Sequence, residues 1–186
     1  MLVTASMLAT GCESRPDPRT TRGALAFASI AIEEGDGERL FRVIDERSRH
    51  ALYSIVEDRG AARALIEAHY PEAERAGASS ALGDAAHAES PAALFAQRCD
   101  AGCRQEIASA LGAPTSEESV DVHEGQMMRV ETTRGELELY RPREGAWWGI
   151  VWRTQELDDE RDRASRDRRR IEQNAEMYQT RARMQE

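Results

Sequence analysis

The stretch Ser119–Trp152, SVDVHEGQMMRVETTRGELELYRPREGAWWGIVW, decides the fold. Val120 and Val122, Met128 and Val130, Leu137 and Leu139, and then Trp148, Ile150 and Trp152 each alternate with polar or outward residues. Successive side chains of a pleated backbone point to opposite sides, so a period of two marks a strand with one buried face. Gly125, Arg134-Gly135 and Arg143-Glu144-Gly145 fall between the apolar groups, where the chain must reverse. The pattern predicts four strands, beginning near Ser119 and joined as an antiparallel meander. Trp148, Ile150 and Trp152 fall on its inner face, and Trp147 and Val151 point the other way.

Upstream of this stretch the apolar period lengthens to that of helices. Thr20 or Thr21 can cap a helix carrying Ala24, Leu25, Phe27, Ala28, Ile30, Ala31 and Ile32, and Gly35 supplies its stop. Beyond the Gly35-Asp36-Gly37 turn, Leu40, Phe41, Val43 and Ile44 form a second helical face. Ser48 opens a third segment with Ala51, Leu52, Ile55 and Val56, continued over Ala61 to Tyr70 until Pro71 forbids it. Glu72 to Pro91 is rich in Ala, Gly and Ser and reads as loop or weak helix. Ala92 to Leu111 reads as one further helix. Helices gathered first and strands afterwards predict an α+β fold, with amino-terminal helices packed on a four-stranded antiparallel curved meander; a parallel α/β sheet would alternate the two.

Downstream, Thr154 to Glu186 predicts a long charged carboxyl-terminal helix. Leu157, Ala164, Ile171 and Tyr178 recur every seven residues, with Ala175 and Ala182 beside the later ones, while Arg161 and Arg168 interrupt the seam. So thin a stripe can pack on its own domain, pair as a coiled coil, meet a partner, or belong to an exposed tail. The chain divides into a leader over 1–11, a tether over 12–20, the α+β domain over 21–153 and the charged helical tail over 154–186.

Composition bounds the function. The 186 residues are 40% hydrophobic and 32% charged, too apolar for a wholly disordered polymer and too polar for a multi-span membrane protein. The net charge of −9 sets 34 acidic residues against 25 basic ones, every one of them Arg. Nucleic-acid binding needs a basic face that releases counterions, and the densest run, Arg168-Arg169-Arg170, is interleaved with Asp162, Asp167 and Glu172. No nucleic-acid partner is expected.

Met1 to Gly11, MLVTASMLATG, is a short apolar run ending in small residues before Cys12, followed at once by the polar Glu13 to Arg19. It is about half the roughly 20 apolar residues that a spanning helix needs. These residues resemble the lipobox of bacterial lipoproteins, in which an aliphatic residue and two small residues precede the Cys at the cleavage point. Thr10, Gly11 and Cys12 fit that pattern; Ala9 stands where Leu is usual, Leu8 lies one place early, and no basic residue precedes the run. The alternative is an ordinary start with a chance cysteine. The resemblance implies lipidation of Cys12, a mature chain starting there, and a bacterial envelope protein anchored on the periplasmic side, in the outer membrane rather than the inner. Acyl chains contribute about 0.8 kcal/mol per buried methylene to such an anchor.

With Cys12 set aside, Cys99 and Cys103 form an even pair in a compartment that would be oxidising, which predicts a disulfide. Free thiols are the alternative. A metal site lacks a second ligand pair, and a redox pair lacks the C-x-x-C spacing. No cofactor motif and no metal ligand set is present: there is no G-x-S-x-G, H-E-x-x-H or P-loop, and His50, His69, His87 and His123 are scattered. No residue can be assigned as catalytic. The nearest approach is Asp121 with His123, two apart on an expected strand and therefore on one face, where a carboxylate could orient an imidazole. Opposed to that is a reading as two solvated polar residues. Trp148 and Trp152, with Tyr140, His123 and Asp121, form a candidate pocket in which a concave sheet would hold an apolar small molecule. The competing reading is a Trp-filled core beneath the helices.

The order of a long first helix, further helices and a meander ending in Gly145-Ala146-Trp147-Trp148-Gly149-Ile150 resembles the nuclear transport factor two-like superfamily, the cystatin-like cone. The likeness runs from about Thr21 to Arg153, with an Ala-rich helix followed by Gly35-Asp36. The insertion from Glu72 to Pro114 and the charged last helix depart from it. The resemblance implies a curved sheet wrapped on helices as an open cone; some members are isomerases, dehydratases or cyclases, and many bind or scaffold. The expectation is a non-enzymatic, lipid-anchored envelope protein that supports an envelope protein partner or binds an apolar ligand. The alternatives are a small isomerase, dehydratase or hydrolase using a conical pocket, and a periplasmic interaction module acting through the last helix.

Overall fold

A computed structural model describes residues 16–185. The expected leader over 1–11 and the expected lipidation site, Cys12, lie outside the described residues. The chain forms α1 (Thr21–Glu33), α2 (Gly37–Phe41), α3 (Glu46–His69), α4 (Glu72–Ser80), α5 (Pro91–Arg98) and α6 (Ala101–Ala110). Next come β1 (Pro114–Val120), β2 (Gln126–Thr132), β3 (Glu136–Arg141) and β4 (Gly149–Ile150), and last α7 (Thr154–Arg183). The four strands are an antiparallel meander in the order β1-β2-β3-β4. The fold is α+β, helices first, strands next, with the long charged helix at the end.

The register explains which face of the sheet is buried. Val130 pairs with Leu137, Met128 with Leu139, and Leu139 with Ile150, so one face is apolar and meets the helices. On the opposite face Arg129 stands between Glu118 and Glu138 across the strands, and its guanidinium reaches both carboxylates as well as Glu136. That face is solvated and charged.

Several boundaries differ from the sequence reading. The sheet begins at Pro114 rather than near Ser119, because β1 is mostly exposed and has no alternation to betray it. Asp45 rather than Ser48 caps α3, accepting hydrogen bonds from the backbone N–H groups of Arg47 and Ser48. Of the two readings of Glu72 to Pro91, loop or weak helix, Glu72–Ser80 takes the helix, although none of its residues is buried, and a 3-10 turn follows at Asp84–His87. The expected single helix over Ala92 to Leu111 is two, broken at Cys99-Asp100, where the Asp100 carboxylate accepts from Cys103 N–H and restarts the helix. A disulfide between Cys99 and Cys103, with Cα atoms 5.0 Å apart, fastens the end of α5 to the first turn of α6. Closing so short a loop stabilises the fold by about 2 kcal/mol in the chain-entropy picture.

Order also begins before Thr20. Pro18, expected in the tether, is buried, and its carbonyl accepts a hydrogen bond from Trp148 N–H at 2.9 Å.

The two longest helices lie side by side. Ser48 at the start of α3 approaches Trp152 and Thr154; Arg59 and Asp58 in its middle bond Asp167 and Arg168; Tyr70 at its end meets Asn174 and Tyr178. Partner numbers rise together, so α3 and α7 run parallel. Their common direction comes from what precedes them. Ile44 forms a parallel bridge with Ile150, Ile150 N–H donates to Val43 O at 2.7 Å, and Asp45 N–H donates to Ile150 O at 2.9 Å. Two parallel extended segments thus lead into two parallel helices. Their approach is so close that a Cβ on Gly149 would lie 2.5 Å from Asp45 Cα. Leu157 of α7 joins the main core, and Ile171 and Ala175 join a second cluster with Ala62, Ile66, Tyr70, Leu82 and Ala86.

Candidate functional site

The tryptophan-bearing strand and its surroundings hold every residue singled out for a pocket except Asp121 and His123. On the inner side Trp148 and Trp152 are 4% and 7% exposed. The Trp152 ring meets Phe95 edge-on at 4.8 Å, and the Arg141 guanidinium lies 4.4 Å over Trp148. With Ile150 between them they belong to the continuous core beneath α1 to α3, α5 and α6. Aromatic rings of this size fill space that a cone would otherwise leave for a ligand.

Tyr140 lies on the other face. Its backbone pairs with Met127, and its ring is buried by Arg47, whose guanidinium sits 4.0 Å above it. Together with Val122, His123 and Glu124 these two line a shallow depression of about 400 Å³. Asp121 is exposed and is not part of its lining. The premise that joined Asp121 to His123 fails, since β1 ends at Val120 and both residues follow in the turn to β2, where alternation no longer applies. The turn itself is tight: Gly125 has φ +77°, and a Cβ there would fall 2.6 Å from the Tyr140 hydroxyl. The depression offers a guanidinium, an imidazole and a carboxylate to solvent. It is open to water, and what it supplies is hydrogen bonds to a docked group.

A second open groove, of about 360 Å³, runs beside α6, lined by Glu106, Ile107, Ala110, Leu137, Trp152 and Arg153. Among the described residues no three His, Cys, Asp or Glu side chains gather to hold a metal. No helix among them is long and apolar enough to cross a membrane.

Trp147 behaves unlike its neighbours. The residue is 45% exposed, and its ring lies 6.3 Å from that of Phe27 of α1, which in turn carries the Arg39 guanidinium 4.9 Å over its face. Outward parity in the strand pattern foretells its exposure. Sequence reading missed Arg47 altogether, because nothing local marks an arginine that will cover a tyrosine almost a hundred positions later. No family model, no curated protein and no solved structure matches this chain.

Proposed function

We propose that this is a lipid-anchored bacterial envelope protein with a non-enzymatic binding or scaffolding role, held to the membrane through Cys12. The observation that carries the non-enzymatic half is the use of Trp148 and Trp152 as core. The side chains that would line a cone are packed against Phe95 and Arg141, and the depressions beside α6 and at Tyr140 are open to water. A reaction requiring desolvated, convergent titratable groups finds no such enclosure around the strand, whereas a protein contact needs only surface. The anchoring half rests on Leu8 to Cys12, and the helix-then-meander order is in keeping with the nuclear transport factor two-like pattern.

The test is metabolic labelling of producing cells with a fatty-acid analogue. Wild-type chain is expected to take up label and to enter the detergent phase, and Cys12→Ala to do neither. Equal label in both defeats the anchor.

A further inference from the structure

We propose that the Trp147–Phe27 surface rests in the interfacial layer of the phospholipid bilayer that carries the Cys12 anchor, so that the domain meets the membrane at a second point. The inference rests on the anchored reading and adds a docking surface to it. Of the three tryptophans, Trp147 alone presents its ring to solvent, 45% exposed against 4% and 7%. With Phe27 beside it, it makes a small aromatic patch. An indole has an apolar body and one N–H donor, and it favours the headgroup level, where the body leaves water and the donor keeps partners.

The position of the patch points to the same occupant. Trp148 N–H bonds the Pro18 carbonyl, which sets Pro18 next to Trp147, and Cys12 is six residues before Pro18 in the chain. Six extended residues span at most about 20 Å. An acylated Cys12 therefore keeps this face within that distance of the headgroups. Acyl anchors are commonly joined by a second weak membrane contact, and a surface so confined needs little intrinsic affinity to supply one. The charges that share the depression beside Phe27 balance, Arg39 and Arg42 against Asp36 and Glu38. The contact is thus to the phospholipid interface in general and does not depend on anionic lipid. The polar Glu13-Ser14-Arg15 is a poor cover for an indole, and on the anchored reading the apolar run over 1–11 is cut away.

The test couples Cys12 of the chain that begins there to a maleimide phospholipid in phosphatidylethanolamine–phosphatidylglycerol vesicles with brominated acyl chains. Part of the tryptophan emission should be quenched by the bromolipid, equally at low and high salt, and that part should vanish in Trp147→Phe, because Trp148 and Trp152 are buried. Acrylamide should quench Trp147 in the vesicle-free chain and lose access on the vesicle. The proposal is overturned if acrylamide reaches Trp147 equally in both, or if bromolipid quenching survives in Trp147→Phe. Shielding of Trp147 before vesicles are added would also overturn it, in favour of a cover supplied by this chain itself. Chemical coupling makes these outcomes independent of acylation in cells, which fatty-acid labelling decides separately.

Discussion

Asp45 has no exposed surface, and a carboxylate in that position is destabilising unless hydrogen bonds replace its hydration. It has them. Its oxygens accept from the N–H groups of Arg47, Ser48 and Trp152, and the Ser48 hydroxyl is within bonding distance of the carboxylate, of Trp152 O and of the Thr154 hydroxyl. A hydroxyl has one proton, so Ser48 serves one acceptor at a time while Thr154 can donate to it. Asp45→Ala removes a helix cap and leaves buried donors unpaired, at a cost of about 3 kcal/mol. A urea unfolding midpoint unchanged from wild type would contradict this role. The residue also marks a limit of legibility. Asp45 and Ser48 are both good capping residues, and the choice between them is settled by Trp152 and Thr154, more than a hundred positions away, which no local window contains.

At the scale of elements, the strands with one buried face and the helices with a broad apolar stripe were legible, because burial writes its period into them. The exposed β1 and the break between α5 and α6 were not, and the exposed α4 was legible only as loop or weak helix. The first depends on pairing with β2 and the break on the Asp100 cap rather than on burial. The elements are joined by groups that sequence cannot pair, of which Arg98 of α5 is the clearest. Its guanidinium donates to Asp84 in the 3-10 turn and to Glu160 in α7. The Arg98 hydrogen bond holds the Asp84 carboxyl below its ordinary value of 3.8, against the opposing effect of partial burial. A carboxyl whose pKa falls on folding stabilises the native state above its unfolded value, and that contribution is lost as pH falls through the folded one. Arg98→Ala should therefore melt below wild type near neutrality, with the gap narrowing as pH is taken under 3.8. A gap that stays constant through that range would show that the Asp84 ion pair contributes nothing.

For the molecule as a whole, the heptad stripe of the last helix left four destinations open, and the structure places it on α3 of its own domain. Deleting Thr154 to Glu186 would uncover Ala62 and Ile66 and remove Leu157 and Ile171 from the two cores. Burial of each large aliphatic side chain contributes about 2 kcal/mol, so the loss approaches the low end of a domain's total stability, about 5 kcal/mol. The shortened chain should lose its near-ultraviolet tryptophan signal and its cooperative urea transition; retention of both at the wild-type midpoint would make α7 an appendage. The parallel course of α3 and α7 could not be read from sequence, since periodicity shows that a face is buried without showing which way its neighbour runs. That course has a kinetic corollary. The contacts that launch both helices close a loop of more than a hundred residues, and so distant a closure is slow to find. A growing polypeptide holds only one half of this junction until Trp152 has been synthesised, so its final structure is acquired late, after most of the chain already exists.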